Sequence, residues 1–95
     1  MQELENRIKQ AFIQENHLPD NIHSEIYLYK LGQPENYNYA LYEIAYTDLD
    51  KYYLVDTDKT ETTLIPWNEE KERVIRAIDP EIVKQLNELF NKRKR

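Results

Sequence analysis

The connections between the β-rich segments of this chain are too short to carry it from one end of a sheet to the other. Four segments rich in β-forming residues, at positions 25–31, 37–46, 51–56 and 61–65, are separated by the turn sequences GQPEN, TDLD and DTDK. A parallel strand pair needs a crossover of about a dozen residues, whereas a short turn joins antiparallel neighbours. The sequence therefore predicts a four-stranded antiparallel meander.

Helical segments flank the predicted strands. Residues 2–16 carry apolar side chains at helical spacing. Asn68 and Asp79 have the chemistry of N-caps for two further helices, and Pro80 suits a first helical position. The apolar sides of these two helices are expected to comprise Trp67, Lys71, Val74, Ile75 and Ile78 in the first, and Ile82, Leu86, Leu89 and Phe90 in the second.

The resulting order, α-β-β-β-β-α-α, predicts an α+β fold built as a two-layer sandwich. The chain has 95 residues and is expected to form a single domain, residues 1–95, with the basic residues 92–95 as a frayed tail. No apolar run approaches the roughly 20 residues that span a bilayer, and there is no cysteine. The sequence is therefore typical of a cytoplasmic protein without membrane contact.

All eight tyrosines fall between positions 27 and 53, within the first three predicted strands. In the simplest register a five-residue loop places Tyr29 opposite Tyr39, and a four-residue loop places Tyr42 opposite Val55. Strand side chains alternate between faces. The two faces are then expected to hold Ile26, Leu28, Tyr42, Ile44, Tyr46, Tyr53 and Val55 on one side, and Tyr27, Tyr29, Leu31, Tyr37, Tyr39, Leu41, Tyr52 and Leu54 on the other.

Neither face of this sheet is polar, unlike an antiparallel sheet with one solvated face. Either helices cover both faces, or helices cover the aliphatic face and a partner covers the tyrosine-rich one. We favour the second arrangement, in which a protein partner or a second copy binds a surface that comprises Tyr27, Tyr29, Tyr37, Tyr39, Leu41 and Tyr52. The alternative is that these tyrosines are ordinary strand residues that stabilise the hairpin.

The charge distribution suggests two further functions. The net charge is −5 although residues 92–95 are all basic, so the remainder of the chain is strongly acidic. The main alternative is therefore an acidic mimic of nucleic acid, which inhibits a nucleic-acid-binding protein by occupying its basic site. Direct nucleic-acid binding through the basic tail and the tyrosines is a weaker, third hypothesis, because an acidic body repels phosphates.

Residues with metal-ligand chemistry form no complete motif. His17, Asp20 and His23 have a metal-like spacing, but they lie in a proline-containing loop that does not align them on one helix face. The segment DTDKTE at 56–61 begins like a calcium loop, yet Glu61 stands where such a loop needs glycine. No metal site is predicted.

The sequence also gives little evidence for a pair of catalytic residues. Ser24 follows His23 directly, and neighbouring strand residues point to opposite faces. Glu25 faces Glu43 in the simplest register, where two solvated carboxylates are more common than an acid–base pair. Gly32 is the single glycine, which excludes glycine-rich phosphate-binding loops. The sequence predicts a non-catalytic domain without a cofactor.

Overall fold

The computed structural model describes residues 2–58 and 61–94, and it has the predicted order of elements. Helix α1 spans Gln2–Glu15, a single 3₁₀ turn spans His23–Glu25, and the strands are β1 (Tyr27–Gly32), β2 (Tyr39–Tyr46), β3 (Leu49–Asp56) and β4 (Leu64–Pro66). Helices α2 (Glu69–Ile78) and α3 (Pro80–Lys94) follow. The sheet is antiparallel with the strand order β1-β2-β3-β4. The α+β class and the four-stranded meander are confirmed.

Both predicted N-caps are formed. The Asn68 Oδ1 atom accepts a hydrogen bond from the Lys71 backbone N–H at 2.8 Å. The Asp79 Oδ1 atom accepts one from the Ile82 backbone N–H at 3.3 Å. Each cap satisfies a donor that the first helical turn leaves without a partner.

Helix α3 continues through residue 94, so the backbone of residues 92–94 is helical. Arg95 and the side chains of residues 93 and 94 lie outside the described part of the chain, and the frayed tail stays a prediction. Within the described ranges, no helix combines the length and the apolar character that a membrane span requires.

Two separate hydrophobic cores lie on opposite faces of the sheet. The first core lies between α1 and one sheet face, here called the α1 face, and contains Ile8, Phe12, Ile13, Ile22, Ile26, Ala40, Tyr42, Ile44, Tyr53, Val55 and Leu64. The second lies between α3 and the opposite face, here called the tyrosine face, and its buried members are Leu41, Leu54, Ile82 and Leu86. Helix α1 thus lies on one face of the sheet and α3 on the other, so the sheet is the middle of three layers. The sequence had predicted a sandwich of only two layers. Both faces are apolar, so each needs a covering layer.

The strand register differs from the predicted one by even numbers of residues. Tyr29 pairs with Glu43 instead of Tyr39, which is a shift of four residues. Tyr42 pairs with Tyr53, which is a shift of two. Because side chains alternate with a period of two, an even shift keeps every strand residue on its predicted face.

Turn geometry accounts for the shift between β2 and β3. Only Thr47 and Asp48 connect the two strands, so the TDLD segment contributes two residues to the turn and two to β3. Thr47 adopts a left-handed φ of 53°, and its hydroxyl donates to the Tyr46 carbonyl oxygen at 2.6 Å. The left-handed residue permits the tight two-residue turn.

A bulge between Lys30 and Gly32 ends the regular pairing of β1 with β2. Gly32 has a φ of +152°, and a Cβ atom at this position would lie 2.8 Å from the Leu89 Cδ2 atom. A residue without a Cβ therefore allows α3 to approach the end of β1.

Helix α2 lies away from the sheet and packs mainly against α3. Ile75 and Trp67 contact the second core, as expected. Val74 and Ile78 are 51% and 80% exposed, so these two members of the expected apolar side are not buried against the second core. The reason is geometric, since a helix that rests on another helix buries a narrower stripe than one that lies on a sheet.

Candidate protein-binding surface

The structure divides the six residues of the predicted binding surface into an exposed group and a covered group. Tyr27 and Tyr29 are 44% and 47% exposed. The other four lie in the second core or against it: Tyr37, Tyr39 and Tyr52 are half-buried, and Leu41 is fully buried. The six residues share one face of the sheet, but they do not form one continuous exposed surface.

Helix α3 covers the central part of the tyrosine face. Leu86 is fully buried in one cluster with Leu41 and Leu54. The Phe90 ring meets the Tyr52 ring edge to face, with the ring centroids 4.8 Å apart. Such pairs contribute about 0.5–1.5 kcal/mol beyond the buried area. The covered tyrosines therefore contribute to packing.

The end of the tyrosine face near the β2–β3 turn has more exposed side chains than its centre. Tyr27, Ala45 and Asp50 form one row across β1, β2 and β3, and Tyr29 lies in the next row. Asp50 is exposed and Ala45 is half-buried. The rings of Tyr27 and Tyr29 stack with centroids 6.4 Å apart and planes within 4° of parallel. We call these four residues the open corner.

A buried carboxylate borders the open corner. Glu43 lies between Tyr29 and Tyr52 in the row across the three strands and is only 6% exposed. The predicted pair of Glu25 with Glu43 is absent, because Glu25 belongs to the 3₁₀ turn that precedes β1. Glu43 thus has aromatic neighbours on both adjacent strands and no carboxylate opposite it.

The charged side chains of the sheet are sorted by face. Among the described strand residues, Lys30 and Lys51 point to the α1 face, whereas Glu43, Asp50 and Asp56 point to the tyrosine face. Sequence reasoning missed this separation, although strict alternation along each strand was a sufficient signal for it. The aromatic surface is therefore also the acidic side of the sheet.

Most of the remaining carboxylates lie on the surface. Fifteen of the eighteen acidic side chains are exposed, and the three others are Glu43, Asp56 and Glu72. Exposed carboxylates therefore occur on every helix as well as on the strands and loops. The acidity predicted from the composition is a property of the whole described surface.

The structure does not bring the residues with metal-like spacing together in a cluster within its described part. Within the described ranges, no three histidine, aspartate or glutamate side chains gather in an arrangement that could hold a metal ion. A nitrogen of the His23 ring lies 2.9 Å from Gln10 Oε1, at hydrogen-bond distance. In the segment that resembled a calcium loop, Asp56 Oδ1 accepts a hydrogen bond from the Asp58 backbone N–H at 2.9 Å.

Buried or half-buried phenol groups occur on both faces of the sheet. Burial raises the pKa of Tyr37, Tyr42 and Tyr53 above the ordinary value of a tyrosine. For Tyr53 the Asn16 side-chain amide opposes this rise by donating a hydrogen bond of 3.3 Å to the phenol oxygen. All three phenols are held in the neutral form, as expected for packing residues.

Comparisons of the chain with protein-family models, with curated proteins and with solved structures each find no match.

Proposed function

We propose that this chain is a small non-catalytic protein-binding domain whose contact surface is the open corner. The observation that supports the proposal is the stacked, half-exposed pair Tyr27 and Tyr29, which lies at the edge of a sheet that helices otherwise cover on both faces. Tyrosine is suited to such contacts, because it offers a large area, loses little side-chain entropy and keeps a polar tip.

The edge of β1 favours a contact made through side chains over the addition of a further strand. Within the described sheet, β1 pairs with β2 alone, so its outer edge is a sheet edge. However, the edge carries the exposed Lys30 and then the bulge before Gly32. A lysine and a bulge are two features that prevent strand addition at an edge.

Site-specific photo-crosslinking in the native cell tests the location of the contact. A photoreactive amino acid at position 29 is expected to capture one discrete protein, or a second copy of the chain. The matched control places the same group at position 78 on α2, where Ile78 is more exposed than Tyr29. Capture at position 78 without capture at position 29 would move the contact to α2 and overturn the proposal.

Substitution of the two exposed tyrosines tests their energetic role. Tyr27→Ser with Tyr29→Ser is expected to weaken binding to the captured protein, or self-association, more than about tenfold, since tenfold corresponds to about 1.4 kcal/mol. The free energy of unfolding should fall by only about 1 kcal/mol, because both rings are already half in water. Val74→Ser with Ile78→Ser is the control and should leave binding unchanged. Affinity is measured by titration and sedimentation, and stability by denaturant melts.

Deletion of residues 92–95 separates this proposal from nucleic-acid binding. Protein binding at the open corner should survive the deletion, because the tyrosine pair lies on β1. A binding activity that disappears with these residues and weakens steeply with salt would instead support contact with phosphates. A captured protein that binds nucleic acid, and that the chain releases from nucleic acid, would support acidic mimicry.

A further inference from the structure

The backbone of the β2–β3 turn has a conformation that does not suit its residue type. Three non-glycine residues among those described are left-handed, namely His17, Asn36 and Thr47, with φ of 57°, 60° and 53°. Histidine and asparagine are enriched in this conformation, whereas a positive φ is a genuine outlier for a β-branched residue. The turn at Thr47 is therefore strained, and asparagine at this position would relieve the strain.

Local hydrogen bonding offsets only part of this strain. The Thr47 hydroxyl donates to the Tyr46 carbonyl oxygen at 2.6 Å, and it lies 3.2 Å from Asp48 Oδ1. Thr47 is exposed, so these hydrogen bonds replace hydrogen bonds to water and add little net stability. An asparagine side chain forms comparable local hydrogen bonds in a turn and tolerates the left-handed backbone. Folding therefore gives threonine no advantage at this position.

The strained turn lies at the end of the sheet that carries the open corner. Tyr46 and Leu49 form the pair that closes the turn, and the next pair is Ala45 with Asp50. Asn36 lies in the connection between β1 and β2, at the opposite end of β2. Strand β2 has eight residues, so at about 3.4 Å per residue its two ends are about 24 Å apart. The mismatched turn residue is thus next to the open corner, and the well-matched one is far from it.

We infer that Thr47 is a further contact residue of the binding surface, and that its hydroxyl oxygen accepts a hydrogen bond from the partner protein. The inference rests on the proposed function, because it extends the same surface by one turn. Strained residues persist where binding requires them, at a cost in stability. Because the single hydroxyl hydrogen is used within the turn, the oxygen offers only its lone pairs to a partner, which has to supply the donor.

Thermal melts of the chain alone test the strain. Thr47→Asn is expected to raise the melting temperature by about 4–8 °C, as relief of one left-handed β-branched residue implies for a domain of this size. The matched control is the reciprocal change Asn36→Thr, which places threonine at the left-handed position far from the open corner. It is expected to lower the melting temperature by a similar amount. A Thr47→Asn variant no more stable than the native chain would overturn the inference.

Titration against the protein captured at position 29 tests the contact. Thr47→Asn, although more stable, is expected to bind at least about fivefold more weakly, which corresponds to about 1 kcal/mol, because its amide lacks the methyl group and displaces the acceptor. Thr47→Val keeps the branched shape and the strain but removes the hydroxyl, and the same loss is expected. Asn36→Thr should change the affinity by less than about 1.5-fold, since distant sites act independently. Normal binding by either Thr47 variant would overturn the inference.

Photo-crosslinking beside Thr47 separates a failure of this inference from a failure of the proposed function. A photoreactive amino acid at position 48 leaves Thr47 in place and is expected to capture the same protein as position 29. Position 35, which is exposed and adjoins Asn36, is the control and should not capture it. Capture at position 29 without capture at position 48 would support the proposed function and overturn the inference. Capture at position 48 alone would support the turn as the contact and overturn the open corner, and capture at neither would overturn both.

Discussion

The two faces of the sheet are made from the same three long strands, yet they are covered in different ways. On the α1 face, eleven buried residues among those described form one continuous core beneath α1 and the 3₁₀ turn. On the tyrosine face, the second core has four buried hydrophobic members, two from the sheet and two from α3, and half-buried aromatic and aliphatic residues pack against them. The tyrosines of the α1 face are buried or half-buried, whereas Tyr27 and Tyr29 at one end of the tyrosine face are exposed.

The tyrosines show the consequence of this difference most clearly. Tyr53 lies on the α1 face, is 1% exposed, and meets Phe12 edge to face with ring centroids 6.1 Å apart. Tyr29 lies on the tyrosine face and is 47% exposed. Both are strand tyrosines, so the packing of the helices, and not the residue type, decides how far a tyrosine is buried.

Substitution of the two phenylalanines is expected to give the largest change in stability. It tests directly whether the cores on the two faces of the sheet differ in their contribution. Phe12→Ala should cost about 3–5 kcal/mol of unfolding free energy, because Phe12 is fully buried in the first core. Phe90→Ala should cost roughly 1–2 kcal/mol, because this ring is only half-buried and loses its edge-to-face contact with Tyr52. Denaturant melts of both variants measure the difference. Equal losses would show that the two cores are energetically equivalent.

Substitution of the glycine at the end of β1 is expected to reduce stability by an intermediate amount, and it affects the tyrosine face alone. Gly32→Ala should destabilise the fold by about 1–3 kcal/mol, because a φ of +152° is strained for any residue with a Cβ. The close Leu89 Cδ2 atom is the end of a flexible side chain and can move. The same cost is therefore expected in a Leu89→Ala background, measured as a double-mutant cycle. If Leu89→Ala removes the cost, steric contact with α3 is the cause instead.

Alkaline pH is expected to give the smallest change in stability, and it tests the buried tyrosines of the α1 face. A raised pKa in the folded state means that the unfolded chain loses phenolic protons first as the pH rises. Stability should hold up to about pH 9 and fall above about pH 10, where unfolded tyrosines ionise. Tyr53→Phe should make this fall shallower in denaturant melts between pH 8 and pH 11. A fall that is as steep in the variant as in the native chain would show that Tyr53 does not contribute to it.

Several features of this protein are fixed by local sequence. The turns are too short for crossovers, which leaves an antiparallel meander as the arrangement of the strands. Asn68 and Asp79 cap α2 and α3 through contacts within four residues. The face on which each strand residue lies depends only on its parity, so it survived register shifts of two and four residues.

The tertiary structure alone decided how the faces are covered, because this depends on contacts between residues that are distant in the chain. Helix α3 approaches Gly32 and Tyr52, and on the same face Leu41 is fully buried, Tyr37 and Tyr39 are half-buried, and Tyr27 and Tyr29 remain half-exposed. The packing of α2 on α3 likewise leaves Val74 and Ile78 in solvent, although their spacing is that of a buried stripe. The hydrophobic pattern of a segment indicates which side of the helix or strand is apolar. Which other element packs on that side is set by contacts between residues that are distant in the chain. Tyrosine is stable both when it is buried and when it is half-exposed, so its presence does not reveal which of the two occurs.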